Sequence, residues 1–243
     1  MAKLGGGDGT RTLIALPGMD GGAHLFGPLR DAAPADVDVV AIGYPPGSAN
    51  GYDDLLPSVR ARLPTDRPFY LLGWSFSGPL ALMLAAERPP QLRGVVLAAS
   101  FARDPVPRLP RWARRFATPA VFRFYPAASR LKALLGGYGT PQVRAMLRRA
   151  HAEAGNVALA TRARATLFVD ATPALAACPV PVLYLRASKD EVIGASCSEE
   201  IRRLLPSAEI AEIPGPHLAL ITNPGAAWTA LSAFMNRVEG SAR

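Results

Sequence analysis

Ser75 stands in the stretch YLLGWSFSGPLAL (70–82), where small residues separate an apolar run suited to a strand from one suited to a helix. Pro79 fits the first turn of that helix, because N–H groups there have no intrahelical partner to lose. A serine in so tight a strand-to-helix turn takes a strained backbone and crowds its neighbours, so positions two before and two after it, here Gly73 and Ser77, must be small. The same short pattern also describes an ordinary turn. Chemistry at Ser75 therefore depends on partners: a base for its proton, a carboxylate to hold the base, and donors for a developing oxyanion.

Each partner has a candidate. Of the three histidines, His217 lies in EIPGPHLALITNP, after the last apolar run and before the last helix, where a loop at the carboxyl edge of a sheet would face Ser75. It is the expected base. His24 follows the first loop and is expected either to close a helix or to line the pocket, whereas His151 reads as an ordinary helix residue. Asp190, in LYLRASKDEVIG, is the expected orienting acid, with Glu191 beside it and Asp104 in ASFARDP as alternatives. The oxyanion donors are expected to be the Phe76 N–H, at a helix N-terminus, and the Met19 N–H in LPGMDGG (16–22). That loop has glycines for close backbone approach but neither G-x-G-x-x-G nor G-x-x-x-x-G-K-[ST], so no nucleotide cofactor is expected. Cys178 and Cys197 form no metal-ligand cluster, and no metal is expected.

These residues need a frame. Apolar runs bounded by turn residues recur at 12–17, 37–42, 69–73, 94–99, 181–186 and 208–213. Most lack alternation, which suits parallel strands covered on both faces. Helical patterns lie between several of them. Asp53 is expected to cap one carrying Leu55, Leu56, Val59 and Leu63, SCSE (196–199) to form a capping box, and Asn223-Pro224 to open the last. The alternation predicts an α/β fold with a doubly wound, mostly parallel sheet. It breaks between Phe101 and Leu175, where Thr140-Pro141 and Asn156 introduce helices with no strand between them and LGGYG (135–139) marks a turn or hinge. The predicted organisation is a core domain of residues 1–100 and 176–243 with a helical cap insertion at 101–175.

Composition narrows the classes. Of the residues, 49% are hydrophobic and 19% charged, which excludes a disordered chain. No apolar run is long enough to be a signal peptide or a membrane span, and the chain reads as cytoplasmic. The net charge of +8 resides in the cap: thirteen Lys or Arg and three acidic residues lie between Phe101 and Leu175, against fourteen and sixteen elsewhere. Nucleic acid is not an expected partner, since charge alone favours it and no binding motif accompanies it. Arg111, Arg114, Arg115, Arg144, Arg148 and Arg149 could instead present a rim that captures an acidic carrier protein or an anionic acyl group, the plainer alternative being a solvated surface.

LPGMDG, GWSFSG, SKDEV and GPH, in that order over nearly the whole chain, resemble the α/β-hydrolase superfamily, and the compact size and cap are similar to its small esterases, including the pimeloyl-acyl-carrier-protein methyl ester esterases. The resemblance implies the α/β-hydrolase fold, triad roles for Ser75, Asp190 and His217, and an oxyanion hole from Met19 and Phe76. Three features depart from the family: Pro17 stands where many members have histidine, Ser77 replaces the second glycine, and only about ten residues precede the first strand, too few for two antiparallel strands. The expected activity is hydrolysis of a small-molecule or carrier-bound acyl ester through an acyl-enzyme. Trp74, Phe76, His24 and the cap residues Trp112, Phe116 and Phe122 are expected to contact substrate. Thioester hydrolysis, perhydrolysis and carbon–carbon cleavage at the same site stand as alternatives, as does a non-catalytic binding protein of the same fold.

Overall fold

The computed structural model describes residues 11–106, 118 and 134–241. Six strands, β1 (Arg11–Leu16), β2 (Val37–Ala41), β3 (Phe69–Trp74), β4 (Leu92–Ala98), β5 (Val182–Lys189) and β6 (Glu209–Pro216), form one sheet in the order β2-β1-β3-β4-β5-β6. Every pairing in it is parallel. The fold is that of the α/β hydrolases. Central β3 is buried along all six residues, as its unbroken apolar run predicts, whereas β2 at one edge alternates buried and exposed positions. Alternate residues of each strand feed two cores. Ile14, Leu16, Leu71, Val95 and Leu97 pack with α2 (Tyr52–Arg60), α3 (Ser77–Ala86), α5 (Thr172–Ala176) and α6 (Ala195–Leu204). Leu13, Ala15, Tyr70, Leu72 and Val96 pack with α1 (Gly27–Asp31), α7 (Ala219–Thr222) and α8 (Pro224–Gly240), and with the first half of α4 (Pro141–Thr166).

Two helix starts are as predicted. Thr140 Oγ1 accepts from the Val143 N–H at 3.3 Å and Asn223 Oδ1 from the Ala226 N–H at 3.4 Å, each just before a proline. Two differ. Gly51, not Asp53, precedes α2, and the Asp54 carboxylate reaches back to its N–H at 3.0 Å. The helix starts early because its first residue, Tyr52, is buried and donates its hydroxyl to the Phe76 carbonyl. At α6 the expected capping box does not form, and the Ser198 hydroxyl instead donates to the Ala195 carbonyl within the helix.

The long β4–β5 connection leaves and re-enters the sheet at one place. Arg103 bridges Asp170, the Asp104 N–H donates to the Val169 carbonyl, and the Ala171 N–H to the Ala102 carbonyl. Within it, Gly136 (φ +48°) and Gly137 (φ +89°) form the expected turn in LGGYG. α4 is interrupted at Gly155 (φ +73°), immediately before Asn156.

Candidate active site

β3 ends at Trp74 and α3 begins at Ser77, so Ser75 lies in the turn with φ +52°, a left-handed conformation that a non-glycine residue holds at a cost of about 1–3 kcal/mol. Its backbone is tied on both sides: its N–H donates to the Ala98 carbonyl at 2.9 Å, and its carbonyl accepts from Ser100 Oγ and the Gly78 N–H. The small residues have distinct reasons. A Cβ at Gly73 would stand 2.4 Å from the Ser77 carbonyl oxygen, and one at Gly78 would collide with Ser100 Oγ. Ser77 is admitted because its hydroxyl has a place of its own, between the Pro17 carbonyl and the Tyr44 hydroxyl.

Asp190 and His217 follow β5 and β6, at the same carboxyl edge. Asp190 Oδ1 accepts from the Val192 and Ile193 N–H groups, each at 2.8 Å, which aims Oδ2 at His217 Nδ1, 2.9 Å away. His217 Nε2 lies 3.0 Å from Ser75 Oγ. With the Nδ1 proton donated to Asp190, Nε2 keeps a lone pair that accepts the Ser75 hydroxyl. The Gly215 N–H donates to Ser188 Oγ, joining the ends of the two strands that the pair follows. Side chains of His217 and Asp190 are only 3% and 6% exposed, so little water competes for these bonds. Of the alternative acids, Glu191 is exposed, and the Asp104 carboxylate accepts the Val106 N–H near the base of the β4–β5 connection.

Ser75 and His217 open onto a cavity of about 220 Å³ whose other walls include Gly18, Met19, Asp20, Trp74, Leu147 and Arg148. Trp74 and Met19 thus line this cavity. The Phe76 side chain does not: its ring stacks on Tyr52 at 4.5 Å in the core, leaving only its backbone beside Ser75. His24 is not among the lining residues, and its ring contacts α4 through the Met146 carbonyl and Glu153. Trp112, Phe116 and Phe122 lie outside the described residues, as do Arg111, Arg114 and Arg115. His151, read from sequence as an ordinary helix residue, lines the cavity. Its spacing from Leu147 and Arg148 puts the three on one helical face, the signal that could have grouped them. Asp20 was also missed; burial raises its pKa above the usual carboxylate value, although the Gly22 N–H opposes this. Among the described residues no group of three or more His, Cys, Asp or Glu side chains is arranged to hold a metal ion.

A serine bonded to a histidine above a parallel sheet is the arrangement of a family: residues 2–231 match the alpha/beta hydrolase family, and the chain belongs to it. Among individual relatives, a pimeloyl-[acyl-carrier protein] methyl ester esterase of Neisseria meningitidis serogroup C is 32% identical over 100 residues, 40% of this chain and 39% of that protein. The biotin biosynthesis bifunctional protein BioHC of Cellvibrio japonicus is 31% identical over 173 residues, 66% of this chain and 34% of its own. The matches thus span less than half the length of these curated relatives. A hydrolase from Oleispira antarctica superposes with a TM-score of 0.79 at 16% identity, over 96% of this chain and 92% of its own, a likeness of fold. No helix among the described residues is long and apolar enough to cross a membrane.

Proposed function

We propose that the protein is a serine hydrolase of carboxylic esters, and the observation that carries this is the continuous hydrogen-bonded line from Ser75 Oγ through both nitrogens of His217 to Asp190. In this reading Ser75 Oγ bonds to the ester carbonyl carbon while its proton passes to His217 Nε2, and the carbonyl π electrons move onto oxygen. The N–H groups of Met19 and Phe76 stabilise that oxyanion. Its collapse breaks the bond to the alcohol, which leaves with the proton from His217. Water, deprotonated by the same nitrogen, then releases the acid and returns the proton to Ser75. Asp190 remains ionised and orients the imidazole. No cofactor enters the cycle.

The cavity supports an acyl group of several carbons, since an apolar cavity of about 150 Å³ already holds benzene. The relatives' names and the basic residues of α4, Arg144, Arg148 and Arg149, support a carrier-bound acyl ester presented at a cap formed by the β4–β5 connection, the 101–175 segment.

The test is hydrolysis of p-nitrophenyl acetate, butyrate and octanoate by the wild type beside Ser75→Ala. The expected result is turnover that fails in the variant; equal turnover by both sinks the proposal. An ester borne by an acyl carrier protein, assayed from low to high salt, extends the test: its turnover alone should fall with salt if the basic face steers the carrier.

A further inference from the structure

Arg162, in the second half of α4, is 0% exposed, and its four hydrogen bonds run to uncharged oxygens. Nε and Nη2 donate to Asn50 Oδ1, Nη2 also to the Pro45 carbonyl, and Nη1 to the Met19 carbonyl at 3.0 Å. The guanidinium lies over the Tyr44 ring, 5.3 Å from its centroid. Burying a cation whose hydrogen bonds all run to uncharged oxygens is costly even with the nearby charge of Asp20 acting on it, and an apolar side chain of similar length would hold a helix in place at less cost. Three of its bonds hold the β2–α2 connection at Pro45 and Asn50, and the fourth ties the loop after β1 to the same guanidinium through the Met19 carbonyl.

Three successive carbonyls of that loop are engaged, each from a different direction. Ser77 Oγ donates to the Pro17 carbonyl, the Gly21 N–H to the Gly18 carbonyl at 3.0 Å, and Arg162 to the Met19 carbonyl. In a planar trans peptide the N–H points opposite to the C=O. Drawing the Gly18 oxygen toward Gly21 therefore turns the Met19 N–H the other way, and fixing the peptide on either side stops it from rotating back. Room for the guanidinium is left by Gly21 (φ +75°), where a Cβ would stand 2.7 Å from Arg162 Nη1. Tyr44 joins the two outer tethers, its hydroxyl against Ser77 Oγ and its ring under Arg162.

We propose that Arg162 and Ser77 are positioning residues that together aim the Met19 N–H at the reacting carbonyl, so that the helix lining the cavity also preorganises the oxyanion hole. The inference rests on the esterase reading above. It assigns a task to the serine that replaces the second elbow glycine and to the one wholly buried arginine among the described residues.

The test compares Arg162→Met, Ser77→Gly and the double variant with wild type and Ser75→Ala on p-nitrophenyl butyrate, with butylboronic acid as inhibitor, because its tetrahedral adduct puts an oxygen in the hole. Each folded single variant is expected to lose about 100-fold in kcat, the scale of a displaced or missing oxyanion donor, with KM changed less than about threefold. Boronate affinity should fall with kcat, and the double variant should lose less than the product of the two, since both act on one loop. A folded Arg162→Met with wild-type kcat and boronate affinity overturns the proposal, as does a rise in KM alone. Should Arg162→Met not fold, Ser77→Gly decides, because glycine is sterically admitted at that turn and the change removes only the hydroxyl, with its bonds to the Pro17 carbonyl and the Tyr44 hydroxyl; unchanged kcat there refutes it. Activity retained by Ser75→Ala would instead sink the esterase reading itself.

Discussion

Gly73→Ala tests the turn around Ser75 more sharply than any change to a polar group, because it adds one methyl and no charge. That methyl would stand 2.4 Å from the Ser77 carbonyl oxygen, 2.8 Å from its carbon and 2.9 Å from Ala81 Cβ. An ordinary carbon-to-oxygen contact is about 3.3–3.6 Å, so the first turn of α3 has to retreat from β3 by about 1 Å. Two of the three opposing atoms are backbone, so no rotamer change relieves the clash. Ser75 lies between the two elements, and a shift of that size would stretch its 3.0 Å bond to His217 Nε2 beyond hydrogen-bonding range. A misplacement of about 1 Å costs on the order of 100-fold in rate. Overpacking of this kind costs about 1–3 kcal/mol of stability, which lowers the Tm of a chain of this size by roughly 2–4 °C per kcal/mol. The assay is kcat/KM for p-nitrophenyl butyrate at 25 °C, with a thermal melt to establish that the variant is folded. A folded Gly73→Ala retaining wild-type kcat/KM would refute the steric account of the turn.

Asp20→Asn should stabilise the fold at neutral pH. Burial raises the native carboxyl pKa above its unfolded value, so the native state is penalised for the charge as pH rises through that window, and the penalty is absent below it, where both states are protonated. Asn keeps an oxygen for the Gly22 N–H, so the gain in Tm should be full at pH 7 and vanish below the ordinary carboxylate range; a gain that grows on acidification contradicts this. Burial also pushes the Cys197 thiol up to about 11, leaving about one thiolate in a thousand at pH 8. In a Cys178→Ser background, which removes the other, less buried free thiol, Ellman's reagent at that pH should label Cys197 only after denaturation, and rapid labelling of that native variant would show the site to be open.

What sequence could reveal of the site follows from how the sheet collects its loops. Ser75, Asp190 and His217 each come within four residues of the end of a run that reads as a strand, and in a parallel sheet all such loops emerge at one edge. Proximity of residues 115 and 27 positions apart is thus a consequence of strand direction alone. Asp190 differs from Glu191 in that its shorter side chain turns back onto the Val192 and Ile193 N–H groups, a local pattern an aspartate favours. Arg162 lacked such a signal, because its environment is set by where α4 crosses the carboxyl edge, and nothing in that helix specifies the crossing. Arg162 sits in a segment with thirteen basic residues, so its type pointed to solvent. Its burial depends on Gly21, 141 positions earlier, where the absence of a side chain opens the space the guanidinium fills. The glycine-rich loop predicts a place where backbone approaches substrate; at Gly21 what approaches is the protein's own arginine. The identity of either residue is explicable only once the other is in place.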